Sequence, residues 1–169
     1  IQSFKQVAVD QSTEEQRQVN LKQYLSEILI SLSPKLKTTH HQIEICGDET
    51  VSINTYPGAL SQIITNLVIN SLTHGYSPQD TGHLVFDIQP AGRDIILTYT
   101  DDGKGISPEN LSRIFEPFFT TKRGQGGTGL GLHIVYNLVT QKLNGTIECE
   151  SQVNAGTTFI IKLPLIDNQ

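Results

Sequence analysis

The sequence predicts an α/β sandwich with a mostly antiparallel sheet. Apolar residues recur at helical spacing in segments that alternate with short strand-like runs. Tight turns rich in Asp, Gly and Asn join those runs, which favours antiparallel neighbours. The 169 residues suffice for one domain that buries a core without disulfide or metal staples.

The elements follow in order. Ile1, Phe4, Val7 and Ala8 fall at helical spacing, in a segment too short for a helix that stands alone. Residues 1–19 are therefore expected to be the end of a helix packed elsewhere, then a polar linker, Asp10 to Gln18. Asn20 suits the N-cap of a helix whose stripe is Leu21, Tyr24, Leu25, Ile28, Leu29 and Leu32, and Pro34 ends or bends it. Gln42–Cys46 and Val51–Thr55 alternate like strands on either side of an Asp48-Glu49 turn. Pro57 opens a helix that runs to His74 and stops at Gly75. His83–Gln89 and Ile95–Thr100 form a hairpin around Ala91-Gly92-Arg93. A short helix over Ser107–Ile114 has Ser107 or Asp102 as its cap. Residues 116–128 read as a mobile loop, and Gly129–Leu143 as a helix ended by Gly145. Thr146–Glu150 and Thr157–Leu163 close the domain as a last hairpin, and 166–169 are a tail.

Composition narrows the function. Twelve Lys+Arg against 17 Asp+Glu give a net charge of -5, which excludes a protein that tracks nucleic-acid phosphates. No apolar run approaches the ~20 residues of a membrane span, and no signal segment opens the chain. No membrane contact and a cytoplasmic, reducing location are expected, with Cys46 and Cys149 as free thiols in strand-borne core positions.

Three constellations carry chemistry. Gln62, Asn66, Asn70 and His74 fall every four residues and share one helix face. That stripe reads equally as a solvated face or as a set of ligands; an amide oxygen suits a magnesium ion that keeps its phosphate bonds. Asp101-Asp102-Gly103-Lys104-Gly105 follows a strand. Alone it reads as a turn; its functional reading gives Asp101 an exocyclic amine to accept from, such as that of adenine, with glycines that let the backbone approach a flat ring. Gly124–Leu132 opens a helix, where free N–H groups and the helix dipole favour phosphate, and Lys122 and Arg123 precede it. Gly124, Gly126 and Gly129 also satisfy G-x-G-x-x-G, with Glu148 about 20 residues on. A dinucleotide fold fails on context. No buried strand precedes the glycines, and the strand holding Glu148 turns back at Asn154-Ala155-Gly156. A Walker loop fails because Leu130-Gly131 stands where Lys-Ser/Thr is required.

Four motifs in order resemble those of the ATP-binding catalytic domain of sensor histidine kinases, in the wider group of gyrase, heat-shock chaperone and mismatch-repair ATPases with the Bergerat fold. Asn66-Leu67-Val68-Ile69-Asn70 is similar to the N box and Asp101-x-Gly103-x-Gly105 to the G1 box. Phe115–Lys122 is similar to the F box and Gly127–Leu132 to the G2 box, and Gly156-Thr157 matches a final Gly-Thr. The resemblance covers residues 20–165. It implies a mixed sheet covered on one face by helices, with Mg-ATP between the helices and a lid over residues 118–128. It implies Asn70 as the magnesium ligand, with Asn66 nearby, and Asp101 as the adenine contact. Gly103, Gly105, Ile106, Phe115 and Thr157 would form the base pocket. Thr128, Gly129, Leu130, Gly131 and Leu132 would lie at the phosphates, and His74, Lys122 and Arg123 would contact the terminal one. The chain departs from many members in having Thr73 where they have Lys; His74, one residue on, matches the histidine of chemotaxis-type kinases.

The same resemblance separates transfer from hydrolysis. Hydrolysing members carry Glu four residues before the magnesium Asn, as do members that phosphorylate a serine hydroxyl; here that position is Asn66, which accepts no proton. Water or a hydroxyl needs a base, whereas a neutral imidazole already offers a lone pair. The expected reaction is transfer of the γ-phosphoryl to a histidine on a separate dimerisation and phosphoacceptor hairpin, and then to a response regulator. His40, His41, His83 and His133 lack the acceptor's context, so the chain is not expected to label itself, and because the resemblance assigns dimerisation to the hairpin, a monomer is expected. A hydrolysing ATPase and a nucleotide-binding module without transfer activity are the alternatives.

Overall fold

The structure, a computed structural model, describes Val7, residues 15–122 and residues 127–165. The expected helix tail at Ile1–Gln11 therefore lies outside the described residues, Val7 excepted. The elements are β1 (Arg17–Asn20), α1 (Leu21–Ser31), α2 (Ser33–Leu36), β2 (Gln42–Gly47), β3 (Ser52–Thr55) and α3 (Pro57–Asn70). After them come β4 (His83–Ala91), β5 (Asp94–Asp101), α4 (Pro108–Leu111), α5 (Gly131–Asn137), β6 (Thr146–Ser151) and β7 (Thr157–Pro164).

Five strands form the main sheet in the order β2-β4-β5-β7-β6. β2 runs parallel to β4, and the other pairs are antiparallel. This is the mixed, mostly antiparallel sheet expected. Alternation decides which face is buried: Leu84, Phe86 and Ile88 of β4, Ile95, Leu97 and Tyr99 of β5, and Phe159, Ile161 and Leu163 of β7 all point into the core. Cross-strand register stacks them in rows such as Phe86, Tyr99 and Phe159. The helices cover that face. α3 sits in the middle, in contact with both α1 and α5.

Local chemistry explains the element ends. The Asn20 side chain accepts the Gln23 N–H at 3.0 Å, the cap expected for α1. Pro57 starts α3, and the Ser107 hydroxyl accepts the Asn110 N–H at the start of α4. Two helices continue as π-helical turns, Ser71–Gly75 after α3 and Leu138–Lys142 after α5. Such turns break the four-residue register and recur at functional sites.

Two expectations change. Arg17 and Gln18, expected in the linker, belong to β1, which pairs antiparallel with β3 in a separate two-stranded sheet. β2 and β3 do not pair with each other. Gly47, at φ 103°, turns the chain away, and the Asp48 N–H donates to the Ile88 carbonyl at 2.9 Å. Cys46 and Cys149 are free and half-buried, on the two outer strands of the main sheet. Four strand spacings, roughly 19 Å, separate those strands, too far for a disulfide.

Candidate functional site

A cavity of about 350 Å³ opens between α3, its π turn, the end of β5 and the segment 119–132. Asp101 forms its floor. It is the last residue of β5 and shares the inward parity of Tyr99 and Leu97, so the pleat aims its carboxylate at the helix layer. It is 5% exposed. Its Oδ1 accepts the Gly103 N–H at 3.0 Å and the Thr157 N–H at 3.2 Å, and its Oδ2 accepts the Ser71 hydroxyl at 2.7 Å. An ionised carboxylate has about four acceptor sites, so capacity remains toward the cavity.

The amide stripe divides as the helix meets the site. Asn66, Asn70 and His74 line the cavity and are half-buried, whereas Gln62 is exposed and stands outside it. The Asn66 side chain donates to the Gly131 carbonyl at 3.4 Å. Among the described residues the Asn70 side chain has no hydrogen-bond partner. A hard, neutral amide oxygen free at a cavity wall fits a magnesium ion that bridges to phosphate. His74 Nδ1 lies 3.0 Å from the Thr121 hydroxyl. Burial, and then the charge of Lys122, hold the His74 imidazole below its ordinary range.

Most of the other sequence candidates are also on the wall: Gly105, Ile106, Thr128, Gly129, Gly131, Leu132 and Thr157. Four stand back from it. Gly103 lies against Gly75, whose carbonyl oxygen a Cβ would meet at 2.5 Å. Phe115 packs on Tyr136 and Phe159 at ring separations of 5.2 and 6.4 Å. Lys122 and Leu130 are half-buried beside the cavity. Arg123 lies outside the described residues, as do Gly124 and Gly126.

Two glycines here differ in what a side chain would meet. Gly105 has φ 73°, and a Cβ there would strike the Gln152 carbonyl. At Gly131 a Cβ would meet nothing within 4 Å, because that side faces open cavity. The G1 loop is tied to the π turn through Tyr76. Its hydroxyl donates to Asp102 Oδ1 at 2.6 Å and accepts the Asp102 N–H at 3.1 Å. Lys104 N–H donates to the Gly75 carbonyl at 2.8 Å.

Sequence reasoning missed Ser71 and Asn110, and it gave Thr73 only as a departure from the family and Phe119, Thr120 and Thr121 only as part of the F box and lid; all six line the cavity. Ser71 lies off the amide stripe, four residues after Leu67 on the buried face of the helix. A signal for it existed: a hydroxyl on a buried helix face needs a partner.

A family model described as "Histidine kinase-, DNA gyrase B-, and HSP90-like ATPase" matches residues 55–167. The sensor histidine kinase ZraS of Salmonella typhi is 37% identical over 153 residues, 89% of this chain and 32% of that protein. The sensor kinase CckA of Brucella abortus is 37% identical over 119 residues, 63% of this chain and 12% of that protein. The catalytic domain of histidine kinase ThkA matches with a TM-score of 0.77 at 25% identity, covering 89% of this chain and 96% of that one. Full-length ShkA in complex with AMPPNP matches in fold, with a TM-score of 0.76 at 22% identity over 96% of this chain and 34% of that one. The chain spans about a third of the length of its ZraS relatives. With the Bergerat architecture, the four motifs in order and this family match, the chain belongs to the histidine kinase-, gyrase B- and HSP90-like ATPase family, and it is similar to sensor histidine kinases within it.

Proposed function

We propose that this domain binds ATP with magnesium and transfers the γ-phosphoryl group to a histidine on a separate phosphoacceptor domain of its parent protein. The observation that carries the reading is one cavity with a buried, pre-aimed carboxylate on its floor and Asn66, Asn70 and His74 on its wall.

Asp101 accepts the adenine amine. Three protein donors fix the carboxylate before the base arrives, so little reorganisation opposes binding. The phosphates extend toward Gly129–Gly131, where α5 starts without a side-chain cap, leaving first-turn N–H groups available to an anion. Asn70 would hold the magnesium ion, which when bound would supply positive charge against the phosphates. His74, kept neutral, meets the γ-phosphate as a hydrogen-bonding group. Lys122 and Arg123 add positive charge. In the transfer itself the acceptor imidazole lone pair forms the N–P bond, and the bond from phosphorus to the β–γ bridging oxygen breaks to release ADP. Asn66 offers an amide donor, already directed at Gly131, where a hydrolytic site needs a proton acceptor.

The phosphoacceptor hairpin and a response regulator are the expected partners, and the cytoplasm, where ATP is held, is the expected location. No helix among the described residues is long and apolar enough to cross a membrane. Calorimetric titration with ATP, with magnesium and with EDTA, tests the reading. Micromolar binding that weakens at least tenfold in EDTA supports it. Equal binding in both, or preference for NAD, refutes it.

A further inference from the structure

Behind the Asp101 carboxylate lies a second layer of hydroxyls that no motif contains. Tyr99 is fully buried, and its hydroxyl donates to Ser71 Oγ at 2.7 Å. Ser71 is 1% exposed, and its own hydroxyl donates to Asp101 Oδ2 at 2.7 Å. We propose that Ser71, held by Tyr99, is a positioning residue that makes Asp101 selective for a base bearing an exocyclic amine.

The direction of the chain is fixed from both ends. Oδ1 already accepts two backbone N–H groups, which can only donate, so Asp101 serves as an acceptor. Ser71 has one proton and gives it to Oδ2. Its lone pairs then take the Tyr99 proton. Burial raises the Tyr99 phenol well above its usual range, so it stays a donor. Ser71 is also on the cavity wall. Were its hydroxyl free to rotate, it would present a donor to the base edge and satisfy a carbonyl as readily as an amine. With that proton committed to Oδ2, the floor offers only acceptor capacity. A ligand that brings no N–H leaves the carboxylate's remaining site unpaired, which is penalised in a dry pocket. Helical spacing makes the contact possible: Ser71 lies four residues after Leu67 and three after Val68, both buried, and so continues the core face of α3.

This rests on Asp101 as the base contact, so the experiment separates the two. Wild type, Ser71→Ala and Tyr99→Phe are titrated with ATP and with purine riboside triphosphate, which lacks the 6-amine, in magnesium. Wild type is expected to prefer ATP by about tenfold or more, the scale of one hydrogen bond to a charged group. Ser71→Ala should shrink that preference to within about threefold by weakening ATP selectively. Tyr99→Phe should shrink it less, because Ser71 keeps its bond to Asp101 but loses the partner that fixes its rotor. Equal weakening of both nucleotides by Ser71→Ala, or an unchanged preference, overturns the positioning role and leaves Asp101 as the base contact. A wild type that binds both alike removes the Asp101 reading and this proposal with it. Should Ser71→Ala fail to fold, Tyr99→Phe decides: a smaller preference supports the role and an unchanged one overturns it.

Discussion

Asn66 donates its side-chain amide to the main-chain carbonyl of Gly131, 65 residues away in sequence, and so joins the middle of α3 to the first turn of α5 across the cavity. A carboxylate at position 66 would face that carbonyl with an acceptor instead of a donor. On the proposed reading, the residue that denies water a base is therefore also a strut of the site.

The first expectation concerns that residue. Wild type should show negligible steady-state release of phosphate from ATP. Asn66→Glu should raise it about tenfold or more, as a positioned base restores part of the 10²–10⁴ that such groups contribute. Coupled-assay kinetics read both. Robust turnover by wild type would place the domain with the hydrolysing members of its family.

Asn70→Ala removes an amide that has no protein partner among the described residues. The fold should therefore hold, while ATP affinity in magnesium drops about tenfold, the equivalent of roughly 1.4 kcal/mol. Affinity in EDTA should not move. Equal losses in both buffers would mean that Asn70 contacts the nucleotide directly.

Two glycines should respond in opposite ways. Gly105→Ala forces a Cβ into the Gln152 carbonyl at φ 73°. It should cost about 1–3 kcal/mol, several degrees of Tm in a domain of this size. Gly131→Ala meets no protein atom within 4 Å and removes a glycine from a helix, so Tm should stay or rise slightly. Its added methyl should nonetheless weaken ATP binding, because it occupies phosphate space. Thermal melts with and without nucleotide separate the two.

How far the sequence disclosed all this depends on range. Asn20, Pro57 and Ser107 mark helix starts because capping is settled within a few residues. Period put the amide stripe on one helix face but left it open between a solvated face and a ligand set, and Asp101 alone read as a turn; the motif resemblance singled both out. Pairing was not legible. Arg17–Asn20 carries one buried residue, Val19, and becomes a strand only because Ser52–Thr55 lies beside it. The parallel alignment of β2 with β4 is decided by Gly47 and the chain's path after it, which alternation does not encode. Ser71 stayed hidden because it continues the buried face of Leu67 and Val68 rather than the amide stripe, and the partners that make it matter, Asp101 and Tyr99, come from β5.

His74 gives a pH signature. Its ordinary value is near 6.5, and the fold lowers it through burial and then Lys122. The unfolded chain thus takes up the proton more readily. Stability from the neutral ring is complete above 6.5 and is lost as pH falls through the lowered folded value. Urea midpoints between pH 7 and pH 5 should fall more steeply for wild type than for His74→Asn. Parallel slopes would show that the ring is not held neutral by the fold.

The central claim is phosphoryl transfer from ATP to a histidine, and isotope transfer tests it most directly. The chain is incubated with γ-labelled ATP and magnesium, alone and with a two-helix phosphoacceptor domain bearing the acceptor histidine. The account predicts acid-labile, base-stable label on the added domain, lost when its histidine is replaced by Gln, and no label on the chain alone. Label that stays on the chain, or label released as inorganic phosphate at the same rate without the acceptor, would contradict it.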